Sequence, residues 1–132
     1  MRRSSAPRIL VIEDHDSVVP FIIKALRNVG YVVVAAPSRM AGLARWRRSS
    51  ARFDVVVLDW GDGRPSAQAV VESIRSDNPD VAVIAIPGGL APQEVDVLRQ
   101  AGVVNVVCPK PFGQRELQTA VASALVLRNV AV

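Results

Sequence analysis

The run Asp54-Val55-Val56-Val57-Leu58-Asp59-Trp60 decides the fold. Four consecutive apolar residues, three of them β-branched, sit between two aspartates. A strand with one face in water alternates apolar with polar residues; a strand buried on both faces does not. The run therefore predicts an interior strand of a parallel sheet with helices on both sides. Asp59 is the first polar residue at its carboxyl end.

Four further apolar runs share this character: Arg8–Ile12, Tyr31–Ala35, Val81–Ile86 and Val104–Cys108. Between them lie segments with helical periodicity and helical punctuation. Asp16 is placed to cap a first helix running to about Asn28, with Gly30 as its stop. Val18, Val19, Ile22, Ile23, Leu26 and Val29 form its core stripe, and Pro20 falls near the first turn, where proline is tolerated. Ser38 caps a second helix through about Arg48. A third follows Pro65, with Ala69, Val70, Ser73 and Ile74 inward. A fourth starts at Pro92 and ends before Gly102. A fifth, after Phe112-Gly113, turns Leu117, Val121, Ala124 and Leu125 inward. Five strand–helix units with right-handed crossovers make an α/β fold, a doubly wound five-stranded parallel sheet.

The functional crevice of such a sheet lies beyond the carboxyl ends of its strands. Glu13 and Asp14 close the first run as Asp59 closes the third, and Pro87 and Lys110 follow the fourth and fifth. One edge of the sheet gathers them all. Two unit charges about 4 Å apart repel by roughly 4 kcal/mol at an effective dielectric near 20. Three carboxylates brought together imply a divalent cation, and Mg²⁺ prefers oxygen ligands.

The chain of 132 residues is half apolar, with a net charge of +4. That is a globular composition, read as one domain over 1–132 with its core at about 8–127. The single cysteine, Cys108, rules out an internal disulfide and reads as a small buried hydrophobe. No stretch has the roughly 20 apolar residues of a membrane span, and the short basic opening does not resemble a signal peptide. The expected compartment is the cytoplasm, with no membrane partner. The arginine surplus suits an acidic partner without establishing nucleic-acid binding.

Ile9-Leu10-Val11-Ile12-Glu13-Asp14, Asp54 through Trp60, and Lys110-Pro111-Phe112 together resemble the bacterial two-component response-regulator receiver domain, from about Arg8 to Leu127. The resemblance implies a (βα)5 flavodoxin-like fold and a signalling domain rather than an enzyme. It implies Asp59 as phosphoacceptor, served by a histidine kinase, a phosphotransfer protein or a small phosphodonor. Asp14 and Asp59 would hold Mg²⁺ directly, Glu13 through water, and Gly61 through its backbone carbonyl. Lys110 would pair with Asp59 at rest and with a phosphoryl oxygen afterwards. Without the resemblance, Asp14 and Asp59 also read as helix-capping carboxylates, and Lys110 as a solvated lysine.

Four departures mark the chain as atypical. Pro87 stands where receivers carry the switch Thr or Ser, so no hydroxyl bonds the phosphoryl oxygen there. A hydrogen bond to a charged group contributes about 1.5–3 kcal/mol, so its loss weakens conformational coupling by roughly 10- to 150-fold. Gly88 beside it stays small. Val107 occupies the aromatic switch position and cannot make the ring movement. In the loop after Asp59, Asp62-Gly63 replaces the usual Met-Pro within Gly61-Asp62-Gly63-Arg64-Pro65, with a further negative charge at Asp62, and Pro109 precedes the lysine. These leave two readings: a phosphorylatable receiver with altered switching, or a pseudo-receiver that binds partners without phosphorylation.

A haloacid-dehalogenase-like phosphatase also uses an aspartate after an apolar strand, but needs a second one two residues on, where Gly61 stands. A dinucleotide site needs a glycine-rich first turn, and Glu13-Asp14-His15-Asp16 replaces it. Direct DNA binding lacks a helix-turn-helix module. The arginines at 39, 45, 47, 48 and 52 read as a solvated helix face or a dock for an acidic partner. His15 reads as exposed, or as tuning the metal site, and Trp60 as lying beside that site. The resemblance implies that the face of the fourth helix, fifth strand and fifth helix docks a downstream protein or a second copy, and Leu90, Val95, Val97, Leu98, Leu125 and Val126 supply apolar material there.

Overall fold

The structure, a computed structural model, describes residues 6–61 and 65–130. Five strands alternate with five helices: β1 (Arg8–Ile12), α1 (Val18–Arg27), β2 (Val32–Ala36), α2 (Arg39–Arg48), β3 (Val55–Gly61), α3 (Pro65–Asp77), β4 (Ala82–Pro87), α4 (Pro92–Gln100), β5 (Val106–Val107) and α5 (Gln114–Val130). All strands are parallel in the order β2-β1-β3-β4-β5. This is the flavodoxin-like order, whose switch point lies between β1 and β3. The doubly wound expectation holds.

Alternate strand residues feed two cores. Ile9, Val11, Val55, Val57, Ile84 and Ile86 pack on α1 and α5, through Ile22, Leu26, Leu117, Val121 and Ala124. Leu10, Ile12, Val56, Leu58, Val83 and Ala85 pack on the other side, against α3 through Val70, Val71 and Ile74 and against α4 through Val95. Double burial is why the strands do not alternate in sequence. On the second side, a Cβ added to Gly42 of α2 would lie 2.4 Å from Ile12 Cδ1. Glycine lets α2 settle on the end of β1.

Several local expectations need correction. Ser17, not Asp16, sits at the start of α1 and makes no side-chain cap; the His15 carbonyl accepts from Val18 and Val19 instead. Val29 is exposed, because it follows the last turn of α1, and Ala69 faces out of α3. The fifth strand shrinks to two residues. Before it, Asn105 takes over part of the ladder: its Oδ1 accepts from Val83 N–H at 2.7 Å, and its own N–H donates to Val83 O at 2.9 Å. The Ser38 cap is present, accepting from Ala41 N–H at 3.1 Å.

The apolar surface is smaller than expected. Val95 is buried, and Leu90 and Leu98 pack against the second core, as Leu125 does against the first. Val97 and Val126 are the members left open to solvent, at 66% and 61% exposure. Asp62 and Gly63 lie outside the described residues. Among the described residues no helix is long and apolar enough to cross a membrane.

Candidate functional site

Three strand ends build the site. β1 carries Glu13 and Asp14 past its last paired residue, and the Glu13 N–H holds the edge by donating to Ala36 O at 3.1 Å. In β3 the register shifts between Asp59, which pairs with Ile86, and Gly61, which pairs with Pro87. Such a bulge bends a strand and re-aims its side chains. Gly61 takes φ +64 there, a left-handed conformation that glycine adopts without strain. The segment after β5 continues along β4: Cys108 N–H donates to Ala85 O at 2.8 Å and Lys110 N–H to Pro87 O at 3.0 Å. These backbone bonds carry Lys110 to the carboxyl edge.

The side chains converge on one cavity of about 510 Å³, lined by Ile12, Glu13, Asp14, His15, Ser38, Arg39, Asp59, Gly61, Gly88 and Lys110. Glu13 is fully covered, Asp59 keeps 14% of its side-chain exposure, and Asp14 is mostly in water at 68%. Lys110 Nζ stands 3.1 Å from Glu13 Oε1 and 3.7 Å from Asp59 Oδ1. The expected pairing with Asp59 is present, but the closer carboxylate is Glu13. His15 Nδ1 meets Glu13 Oε2 at 2.5 Å and Asp14 Oδ1 at 3.2 Å.

Electrostatics follow from burial. Loss of hydration, and then the neighbouring Glu13 charge, push the Asp59 carboxyl above the usual aspartate range. Asp14 is held below that range, first by a hydrogen bond with the Asp59 carboxyl. His15 is raised, first by its hydrogen bond to Glu13 and against the opposing charge of Lys110.

The donor set suits a hard divalent cation. One ligand atom from each of Glu13, Asp14, His15 and Asp59 lies within 4.8 Å of the others. Glu13 Oε1, though buried, accepts no well-directed hydrogen bond. Gly61 lines the same cavity, and its carbonyl accepts from Gly88 N–H at 3.2 Å.

The remaining expectations separate. Pro87 is buried outside the cavity lining, and its neighbour Gly88 lines the wall, where an added Cβ would meet Lys110 Cδ at 3.5 Å. Val107 is buried in the second core. Trp60 is not beside the cavity: it is buried in that same core, because it falls on the opposite face of β3 from Asp59. Arg39 is the residue the sequence reading missed. The sequence places it among the helix arginines, yet its Nη2 donates to the Asp59 carbonyl oxygen at 3.0 Å. Its place just past the carboxyl end of β2 was the available signal.

Comparison with known proteins bears on the fold and the family. The family profile of the response regulator receiver domain matches residues 9–122. The sensor histidine kinase GacS of Pseudomonas protegens is 30% identical over 134 residues, covering 96% of this chain and 14% of its own. The transcription factor SKN7 of Chaetomium thermophilum is 27% identical over 112 residues, covering 85% of this chain and 14% of its own. The chain thus spans a small part of the curated relatives it matches. A receiver domain protein from Clostridium thermocellum superposes with TM-score 0.81 at 24% identity, covering 96% of this chain and 99% of that one. A CheY-like receiver from Methanospirillum hungatei gives 0.79 at 19% identity, covering 97% and 100%. The chain belongs to the response regulator receiver domain family, whose members are signalling domains of two-component systems.

Proposed function

We propose that the chain, as one domain over 1–132, accepts a phosphoryl group on Asp59 and passes the signal on through protein–protein contacts. A carboxylate oxygen of Asp59 attacks phosphorus and an acyl phosphate forms. The bond to the donor breaks, its electron pair staying on the imidazole nitrogen of a histidine kinase or phosphotransfer protein, or on the leaving oxygen of a small acyl phosphate. Such transfer depends on positioning and charge neutralisation more than on covalent assistance. Lys110 moves from the carboxylates to a phosphoryl oxygen. Asp14 and Asp59 would hold Mg²⁺ with the Gly61 carbonyl, and Glu13 through water. When bound, Mg²⁺ supplies positive charge to the phosphoryl oxygens.

The observation that carries this reading is that Lys110 Nζ, 3.7 Å from Asp59 Oδ1, shares one cavity with Glu13 and Asp14. The test is mass spectrometry of the intact protein after acetyl phosphate treatment with Mg²⁺. The wild type should gain one phosphoryl group, and Asp59→Asn none. An unmodified wild type sinks the reading.

Pro87 and Val107 support altered switching within it: one has no hydroxyl to offer, the other is an aliphatic residue packed in the core. The downstream partner, or a second copy, docks on the α4-β5-α5 face, where Val97 and Val126 are exposed. The absent hydroxyl also favours a second reading, a module whose partner affinity ignores phosphorylation. Equal partner affinity for the phosphorylated and unphosphorylated forms would select it.

A further inference from the structure

Arg39 gives the cavity wall a second permanent cation beside Lys110. It opens α2 directly after the capping Ser38, and its guanidinium crosses to β3 to reach the Asp59 carbonyl oxygen at 3.0 Å. A Cβ at Gly61 would lie 3.6 Å from the same Nη2, in ordinary van der Waals contact, so the guanidinium packs directly beside the bulge of β3. The residue whose carboxylate faces the cavity is therefore held through its backbone by an arginine lining that cavity.

A phosphoryl group on Asp59 would replace one carboxylate charge with about two negative charges and three acceptor oxygens. The backbone donors nearby already have acceptors. Gly61 N–H donates to Asp59 Oδ1 at 3.0 Å, and Gly88 N–H to Gly61 O at 3.2 Å. Pro87 has neither N–H nor hydroxyl. Lys110 is a point charge shared with Glu13. A guanidinium presents five donors in a planar fork that matches phosphate oxygens in pairs. We propose that Arg39 is a phosphoryl-binding residue, holding oxygens of the phosphoryl group on Asp59 from the α2 side of the cavity. This rests on the phosphoacceptor reading and supplies a contact that Pro87 cannot make.

The test compares wild type, Arg39→Met and Arg39→Lys by titration with beryllofluoride in saturating Mg²⁺. Mg²⁺ affinity and thermal melting are measured separately. Arg39→Met should weaken beryllofluoride binding by roughly 10- to 100-fold, the range of a charge-assisted hydrogen bond. Arg39→Lys should recover part of it, and neither variant should weaken Mg²⁺. Binding by Arg39→Met within twofold of wild type overturns the proposal. So does a parallel loss of beryllofluoride and Mg²⁺ affinity with a lower melting point in both variants, the mark of a merely structural bridge between α2 and β3. Wild type that binds no beryllofluoride and takes no phosphoryl group from acetyl phosphate overturns the phosphoacceptor reading first, and Arg39 with it.

Discussion

Lys110 Nζ lies 3.1 Å from Glu13 Oε1, joining residues 97 positions apart across the carboxyl edge of the sheet. Glu13 is fully covered while Lys110 keeps 20% of its side-chain exposure. The pair ties β1 to the segment after β5, although neither strand touches the other in the sheet.

Removing one partner should therefore cost more than removing both. Lys110→Met leaves a buried carboxylate without its closest permanent cation, a loss of about 2 kcal/mol or more. Glu13→Gln in the same chain should return part of that. Urea unfolding of the two single variants and the double variant gives the coupling; strict additivity would show that the contact is incidental.

Asp59→Asn should stabilise the protein in the absence of divalent cations. The folded-state carboxyl is raised above its usual 3.8 by burial and by Glu13, so the native state binds more protons than the unfolded one. Wild-type stability then falls as pH rises from that value through the raised one, and the deficit persists above it. Melting curves of both proteins should converge in acid and separate at neutral pH. Separation in the opposite sense would contradict the burial argument.

His15 should titrate above its ordinary 6.5, because the imidazolium is favoured by the hydrogen bond to Glu13. Its stabilising contribution is present below that value and is lost as pH rises through the folded-state value. Imidazole NMR resonances followed against pH report the midpoint. Glu13→Gln should lower it; an unmoved midpoint would remove Glu13 as the cause.

Gly42→Ala tests the seat of α2. The new methyl would lie 2.4 Å from Ile12 Cδ1, itself buried. Overpacking of about 1–3 kcal/mol outweighs the roughly 1 kcal/mol that alanine gains over glycine within a helix. A net loss of about 1 kcal/mol is expected in chemical denaturation, eased when Ile12→Val is added. A more stable Gly42→Ala would mean that Ile12 repacks freely.

The unbroken apolar runs Val55–Leu58 and Val81–Ile86 announced doubly buried parallel strands, because burial on both faces removes any need to alternate. Helix starts at Ser38 and Pro92 were equally local matters of capping and backbone restriction, hence readable from the chain. The placement of Glu13, Asp14, Asp59 and Lys110 at strand ends followed from the same runs once the topology was drawn. Trp60 turns into the second core by alternation along β3, whereas strand order and register brought Lys110 nearer to Glu13 than to Asp59 and swung Arg39 onto the Asp59 carbonyl. Those outcomes depend on a bulge in β3 and on distances between elements far apart in sequence. Local patterns record which face a residue prefers, whereas side-chain partners are chosen only when separate strands are packed against one another.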